Sequence, residues 1–125
     1  MKKRKIYLNA PITLGFSLIC IIALLLNMVS SGKTNVLFFS TYGSSLLSPM
    51  TYIRLLGHIF GHANVDHLVS NLLYILLLGP MLEEKYGKRL IIVILSTAAV
   101  TGIVHNLLSP NTMLLGASGV VFAFI

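Results

Sequence analysis

Ser118 lies in Gly116-Ala117-Ser118-Gly119, late in a chain of 125 residues. Glycine on both sides removes side chains that would obstruct a second backbone or a substrate. A serine at the start of an apolar run also stands beside unpaired backbone N–H groups and the positive end of a helix dipole. Such a corner suits acyl transfer, in which a hydroxyl attacks a carbonyl and nearby donors hold the oxygen that becomes negative. Donors of the right kind occur earlier: His67 and Asn71 are four apart and share one face of a helix. His58 and His62 have the same spacing, as do His62 and Asp66. His105 stands alone further along. Each residue also has a plainer reading. Ser118 can be a helix N-cap, and its motif lacks the full G-x-S-x-G pattern of soluble hydrolases. Asn71 can be hydrogen-bonding glue between helices, and a histidine can simply bond a carbonyl. The His58/His62 pair has the helical zinc spacing, but no His-Glu-x-x-His accompanies it and Cys20 lies in a different run.

The elements that must position these residues are apolar. Of the 125 residues, 56% are hydrophobic and 10% charged, with a mean hydropathy of +0.91. Soluble domains run nearer 45–50% apolar and about 25% charged, so an ordinary soluble domain is excluded. Disorder is excluded too, because disordered chains are polar and highly charged. The single cysteine cannot pair within the chain. Ile12 to Val29 carries no charge, and at about 1.5 Å per residue it covers roughly 27 Å, close to the thickness of a bilayer core. A cleaved signal peptide is the competing reading, but its apolar core is shorter, about 7–15 residues. From Ser30 to Met50, polar and turn residues alternate with Val36, Leu37, Phe38, Phe39, Leu46 and Leu47. This predicts a long loop, lying either at the membrane interface or as an ordinary loop with a short helix. A second helix is expected from Thr51 or His58 to near Leu82, and a third from Leu90 to about Leu108. In the third, Ala98 and Gly102 have the small-xxx-small spacing that lets helices approach closely in lipid. Pro110, Asn111 and Thr112 form a short loop, and a fourth helix begins around Ala117. The expected fold is therefore all-α: a polytopic transmembrane helical bundle with three full spans and the start of a fourth. Residues 1–10 form a basic tail and 11–125 the transmembrane domain.

Orientation follows from the positive-inside rule. With the amino terminus inside, the inner segments hold Lys2, Lys3, Arg4, Lys5, Lys85, Lys88 and Arg89, and the outer ones only Lys33 and Arg54. A cytoplasmic amino terminus in a bacterial-type plasma membrane is expected. The net charge of +6 is thereby explained by topology and anionic lipid, and no nucleic-acid partner is needed. In this topology the second helix and the fourth both enter from the outer side. His62, Asp66, His67, Asn71, Gly116, Ser118 and Gly119 then lie at similar depth. Polar groups at membrane depth are costly and face the protein interior or a water-filled cavity.

Together these residues resemble the rhomboid family of intramembrane serine proteases. His62-Ala-Asn-Val-Asp-His67-Leu-Val-Ser-Asn71 matches the family's HxxxxHxxxN pattern. Gly79-Pro-Met-Leu-Glu83-Glu-Lys-Tyr-Gly87 resembles its GxxxE…G segment, and Gly116-Ala-Ser118-Gly119 its GxSG. Arg54 is similar to the arginine of the family's Trp-Arg pair, with Ile53 in place of the tryptophan. The resemblance covers the chain from Pro11 onward. It implies that Ser118 is the nucleophile against a peptide bond of a transmembrane protein substrate. It implies an oxyanion hole made by the Ser118 N–H with His67 and Asn71, and a corner kept open by Gly116. Gly119 completes the motif, and His62 and Arg54 support the site, His62 as a structural or water-organising residue. The family uses neither metal nor cofactor. Its general base is a histidine on a sixth helix, beyond the span of this sequence, so the 125-residue chain by itself is expected to be inactive. The competing functions are a non-catalytic rhomboid-like protein that binds transmembrane clients, and a small membrane protein binding metal through His58, His62 or Asp66.

Overall fold

A computed structural model describes residues 10–125, so the basic tail at 1–9 lies outside the described residues. The order of elements is α1 (Pro11–Val29), α2 (Lys33–Leu37), α3 (Pro49–Gly57), α4 (Val65–Tyr86), α5 (Arg89–Leu108) and α6 (Ser118–Phe124). No strand occurs among the described residues; the only bridge there pairs Thr41 with Leu114. The fold is an all-α helical bundle. Three helices, α1, α4 and α5, are long and apolar enough to cross a membrane. Most of their large apolar side chains face outward, as Leu25, Leu77 and Ile92 do. That pattern suits hydrocarbon, where no hydrophobic force draws helices together and packing must do so.

The core is a narrow seam of Phe16, Cys20 and Leu24 from α1, Ile75 from α4, Ile94 and Ala98 from α5, and Val120 and Phe124 from α6. At one end of the seam, Glu83 of α4 reaches the start of α1. Its carboxylate accepts from the backbone N–H of Ile12 at 3.0 Å and of Thr13 at 2.8 Å, and from Thr13 Oγ1 at 2.9 Å. No side chain at Ala10 caps α1. The orphan donors of that helix end are therefore satisfied from another helix.

The first helix and the third span lie within a residue of their expected bounds. The second does not. A helix running unbroken from Thr51 or His58 into the span is interrupted, because α3 stops at Gly57 and α4 starts at Val65. The cause is local. Asn64 adopts an extended conformation and its side chain accepts from His67 N at 2.8 Å, which makes it an N-cap. Asp66 in the first turn suits the positive helix end. The span also runs one turn past Leu82, to Tyr86, where Gly87 closes it at φ 58°. The Ser30–Met50 segment is a long loop that contains the short α2.

Candidate active site

The break between α3 and α4 creates the site. Residues 58–64 form a turn that dips into the bundle, with His58, Ile59, Gly61 and His62 all buried. His58 turns toward α5, and its Nε2 meets Ala98 O at 3.0 Å. The side chain sits against the Ala98/Gly102 face: a Cβ added to Gly102 would stand 3.2 Å from His58 Nε2 and 2.6 Å from Leu55 Cδ1. The small pair thus admits α3 and the turn that follows it to α5. His62 turns the other way, toward α4 and the Gly116 segment. The two histidines do not share a helix face, which removes the i, i+4 geometry behind the metal reading.

Three groups surround the His62 ring. Nδ1 lies 3.2 Å from Phe60 O, and Nε2 lies 3.1 Å from Asn71 Nδ2 and 3.2 Å from Ala117 N. A backbone N–H can only donate and a carbonyl can only accept. The tautomer is therefore fixed by its surroundings: Nδ1 carries the proton and donates to Phe60 O, while Nε2 accepts from Asn71 and Ala117. Burial pushes the ring's pKa down to about 4, so it is neutral at physiological pH. The backbone carbonyl of His62 accepts from Asn35 Nδ2 at 3.1 Å, anchoring the turn to the first loop.

His62 also locates the serine. Ala117 N is held by the ring, and Gly116 N donates to His58 O at 2.8 Å. The 58–62 turn thus grips the segment that leads into α6. Gly116 has φ +121°, a conformation that side chains disfavour, and a Cβ there would stand 2.9 Å from His67 Cε1 and 3.9 Å from Asn71 Nδ2. His67 and Asn71, one turn apart on α4, therefore both face Gly116. The His67 ring meets the His62 ring edge-on, with centroids 5.2 Å apart. Ser118 is the first residue of α6 and half-buried; the N-cap is Ala117, and no side chain caps the helix. The capping explanation of the serine is thus not met. Ser118 lines a cavity of about 160 Å³ with His58, Thr101, Gly116, Gly119 and Phe122. Gly119 lies against α5, where an added Cβ would stand 3.4 Å from Thr101 Cγ2.

Arg54, expected to support the site, and His105, to which the sequence gave no role, stand elsewhere. Arg54 is buried, but its Nη2 donates to Ser44 Oγ at 3.0 Å and its guanidinium lies 4.6 Å from the Tyr42 ring centroid. It organises the first loop. His105 Nε2 bonds Thr112 O at 2.9 Å and ties the end of α5 to the following loop. Sequence reasoning missed the Ala117 N–H and the Phe60 carbonyl, which no residue type can signal. It also missed Asn35, a polar residue in a loop that gave no sign of reaching the site.

The profile of the Rhomboid domain family matches residues 49–125. A rhomboid-like protease 3 of Toxoplasma gondii is 36% identical over 73 residues, 58% of this chain and 28% of its own length. The rhomboid protease GlpG of Serratia proteamaculans is 28% identical over 116 residues, 92% of this chain and 41% of its own. The GlpG of Haemophilus influenzae is 25% identical over 118 residues, 94% of this chain and 60% of its own. The chain belongs to the rhomboid family of intramembrane proteases, and it is an integral, multi-pass membrane protein. It spans between about a quarter and three fifths of the length of these relatives.

Proposed function

We propose that the protein is an intramembrane serine endopeptidase that cleaves transmembrane protein substrates. The observation that carries this reading is the convergence of His67 and Asn71 on Gly116, two residues before a serine that no cap interaction explains. In this reading the Ser118 Oγ attacks the carbonyl carbon of a peptide bond. The new oxyanion is held by the Ser118 N–H, the Asn71 amide and the His67 ring. Asn71 has two amide protons: one is bonded to His62, and the second is free for the substrate. His62 positions Asn71 and the Ala117–Ser118 backbone, and does not react. Gly116 leaves the space that the oxyanion needs. Gly119 lets α6 lie close to α5, and Arg54 supports the site at a distance by fixing the first loop.

The hydroxyl proton must pass to a base. No histidine is bonded to the Ser118 hydroxyl among the described residues: the Nε2 atoms of His62 and His105 are taken up by Asn71 with Ala117 and by Thr112, His67 is read as a donor to the oxyanion, and His58, whose Nε2 meets Ala98 O and whose Nδ1 is unpaired, lines the cavity without a hydrogen bond to the serine. By the resemblance, the base belongs to a later helix of the family fold. No cofactor is invoked. With the amino terminus in the cytoplasm of a bacterial-type cell, the site opens to the outer side of the plasma membrane.

The test is cleavage of a reporter transmembrane segment by the full-length protein in membranes. Ser118→Ala should abolish cleavage and labelling by a fluorophosphonate while leaving expression and thermal stability unchanged. Undiminished cleavage by Ser118→Ala overturns the reading.

A further inference from the structure

Residues 35–41 of the first loop reach both halves of the Ser118 site. On the donor side, Asn35 is 7% exposed and its Nδ2 donates to His62 O at 3.1 Å. The loop backbone beyond it lies against the same turn. A Cβ at Gly57 or at Gly61 would collide with the carbonyl oxygen of Phe38 or of Phe39. On the nucleophile side, Thr41 and Leu114 exchange two backbone hydrogen bonds, each of 2.9 Å, and Leu114 lines the Ser118 cavity. The Ser40 hydroxyl donates to Asn35 O and closes the segment on itself. Asn35 N donates to Asn27 Oδ1 at 3.1 Å, in the last turn of α1.

Two features single out Asn35 within this segment. The first is what it holds. His62 O belongs to the residue whose Nε2 accepts from Asn71 and from Ala117 N. Carbonyl and ring branch from one Cα, so a bond that fixes the carbonyl fixes the origin of the ring. The other end of the turn has fasteners of its own: His58 Nε2 bonds Ala98 O, and His58 O accepts from Gly116 N. The second feature is a cost. Asn35 Oδ1 is buried and accepts from nothing among the described residues. Turning the amide over would set Oδ1 against His62 O, so the donor must face the turn. A buried acceptor without a donor is destabilising, and it offsets what the bond to His62 O contributes. Stability alone is a poor reason for an amide at this position, whereas placing His62 requires a donor there.

We propose that Asn35 is a positioning residue for cleavage at Ser118. It holds the His62 backbone where the ring meets both Asn71 Nδ2 and Ala117 N, and so sets an oxyanion donor against the nucleophile without touching substrate. Reacting groups tolerate little displacement: a shift of about 1 Å can cost on the order of 10²-fold in rate. The inference rests on the protease reading of the site and adds to it a residue of the first loop.

Steady-state cleavage of a reporter transmembrane segment by the full-length protein tests it, with Tm measured alongside. Asn35→Leu keeps the branched shape and removes both the donor and the orphaned acceptor. It should lower kcat at least tenfold, with KM little changed and Tm close to that of the wild type. An unchanged kcat, or a loss confined to KM, overturns the positioning role. Where Asn35→Leu also lowers Tm, Asn27→Ala decides. It releases Asn35 N from a half-buried partner and leaves the His62 contacts in place. Its kcat should fall at least threefold at constant KM, and an unchanged kcat then overturns the role. Ser118→Ala in the same assay keeps the two readings apart. Cleavage that survives Ser118→Ala defeats the protease reading, whereas cleavage that needs Ser118 but not Asn35 defeats only the role of Asn35.

Discussion

The Asn71 amide meets His62 Nε2 at 3.1 Å, joining a residue of the second span to one in the buried turn before it. Because the same nitrogen accepts from Ala117 N at 3.2 Å, one imidazole ties α4 to the segment that presents Ser118. This junction sets the position of Asn71 relative to the segment that carries Ser118, and most of the expected behaviour of mutants follows from it.

Replacing His62 by Ala should destabilise the protein more than it alters any direct contact with substrate. It would leave the Asn71 amide and the Ala117 N–H buried without an acceptor, at about 1–3 kcal/mol for each orphaned group. Thermal denaturation in detergent should show a clearly lower Tm, and activity should fall with it. A Tm equal to that of the wild type would show that the ring does not hold the junction.

Acid should weaken the same junction. The His62 pKa is depressed from 6.5 to about 4 by burial, so the unfolded chain binds the proton more readily than the folded one. The stability that this creates is complete above pH 6.5 and declines as pH falls toward 4, by up to about 1.4 kcal/mol per unit. A proton on Nε2 would also face two donors. Denaturant midpoints measured from pH 7.5 to 4.5 should fall more steeply in the wild type than in His62→Ala.

The oxyanion assignment predicts a specific loss at Asn71. Asn71→Ala should lower kcat about 10²–10³-fold with KM little changed, as for the loss of one preorganised donor. Steady-state cleavage of a reporter segment separates the two parameters. A mutant altered in KM alone would make Asn71 a structural link only.

Gly116→Ala tests the corner itself. The residue has φ +121°, and its new methyl would approach His67 Cε1 to 2.9 Å. Backbone strain of this kind costs about 1–3 kcal/mol, and His67 must move. Activity should drop at least tenfold while the helix content read by circular dichroism stays constant.

Glu83→Ala should destabilise the bundle without touching Ser118. It removes the acceptor for two backbone N–H groups and one hydroxyl at the start of α1. Bonds to charged groups are worth about 1.5–3 kcal/mol each, so a loss of several kcal/mol is expected in unfolding measurements. Glu83→Gln keeps one acceptor oxygen and should fall in between.

The spans were legible in the sequence because a charge-free apolar run of about 20 residues has few fates other than a membrane helix. Ser118, His67 and Asn71 stood out in the sequence because their spacing and glycine flanks are unusual; the structure sets His67 and Asn71 against Gly116, two residues before Ser118. The helix break was not legible as such. Asn64 and Gly61 were visible as types, but the apolar pattern from Thr51 onward reads equally well as one long helix. Only the cap at Asn64 decided the matter, and with it the opposite facing of His58 and His62.

By itself, then, the sequence determined that this chain is a membrane bundle, and which polar residues gather along it and in what order. Run length, charge and spacing are local properties, and they survive without knowledge of contacts. The tertiary structure decided what each polar group bonds: His58 to Ala98, His62 to Asn71 and Ala117, Glu83 to Thr13, Arg54 to Ser44. Three of those pairings, His58 with Ala98, His62 with Ala117 and Glu83 with Thr13, join residues far apart in the chain, each through a backbone atom. Backbone donors and acceptors are the same in every residue but proline, so no sequence pattern marks which of them will be used.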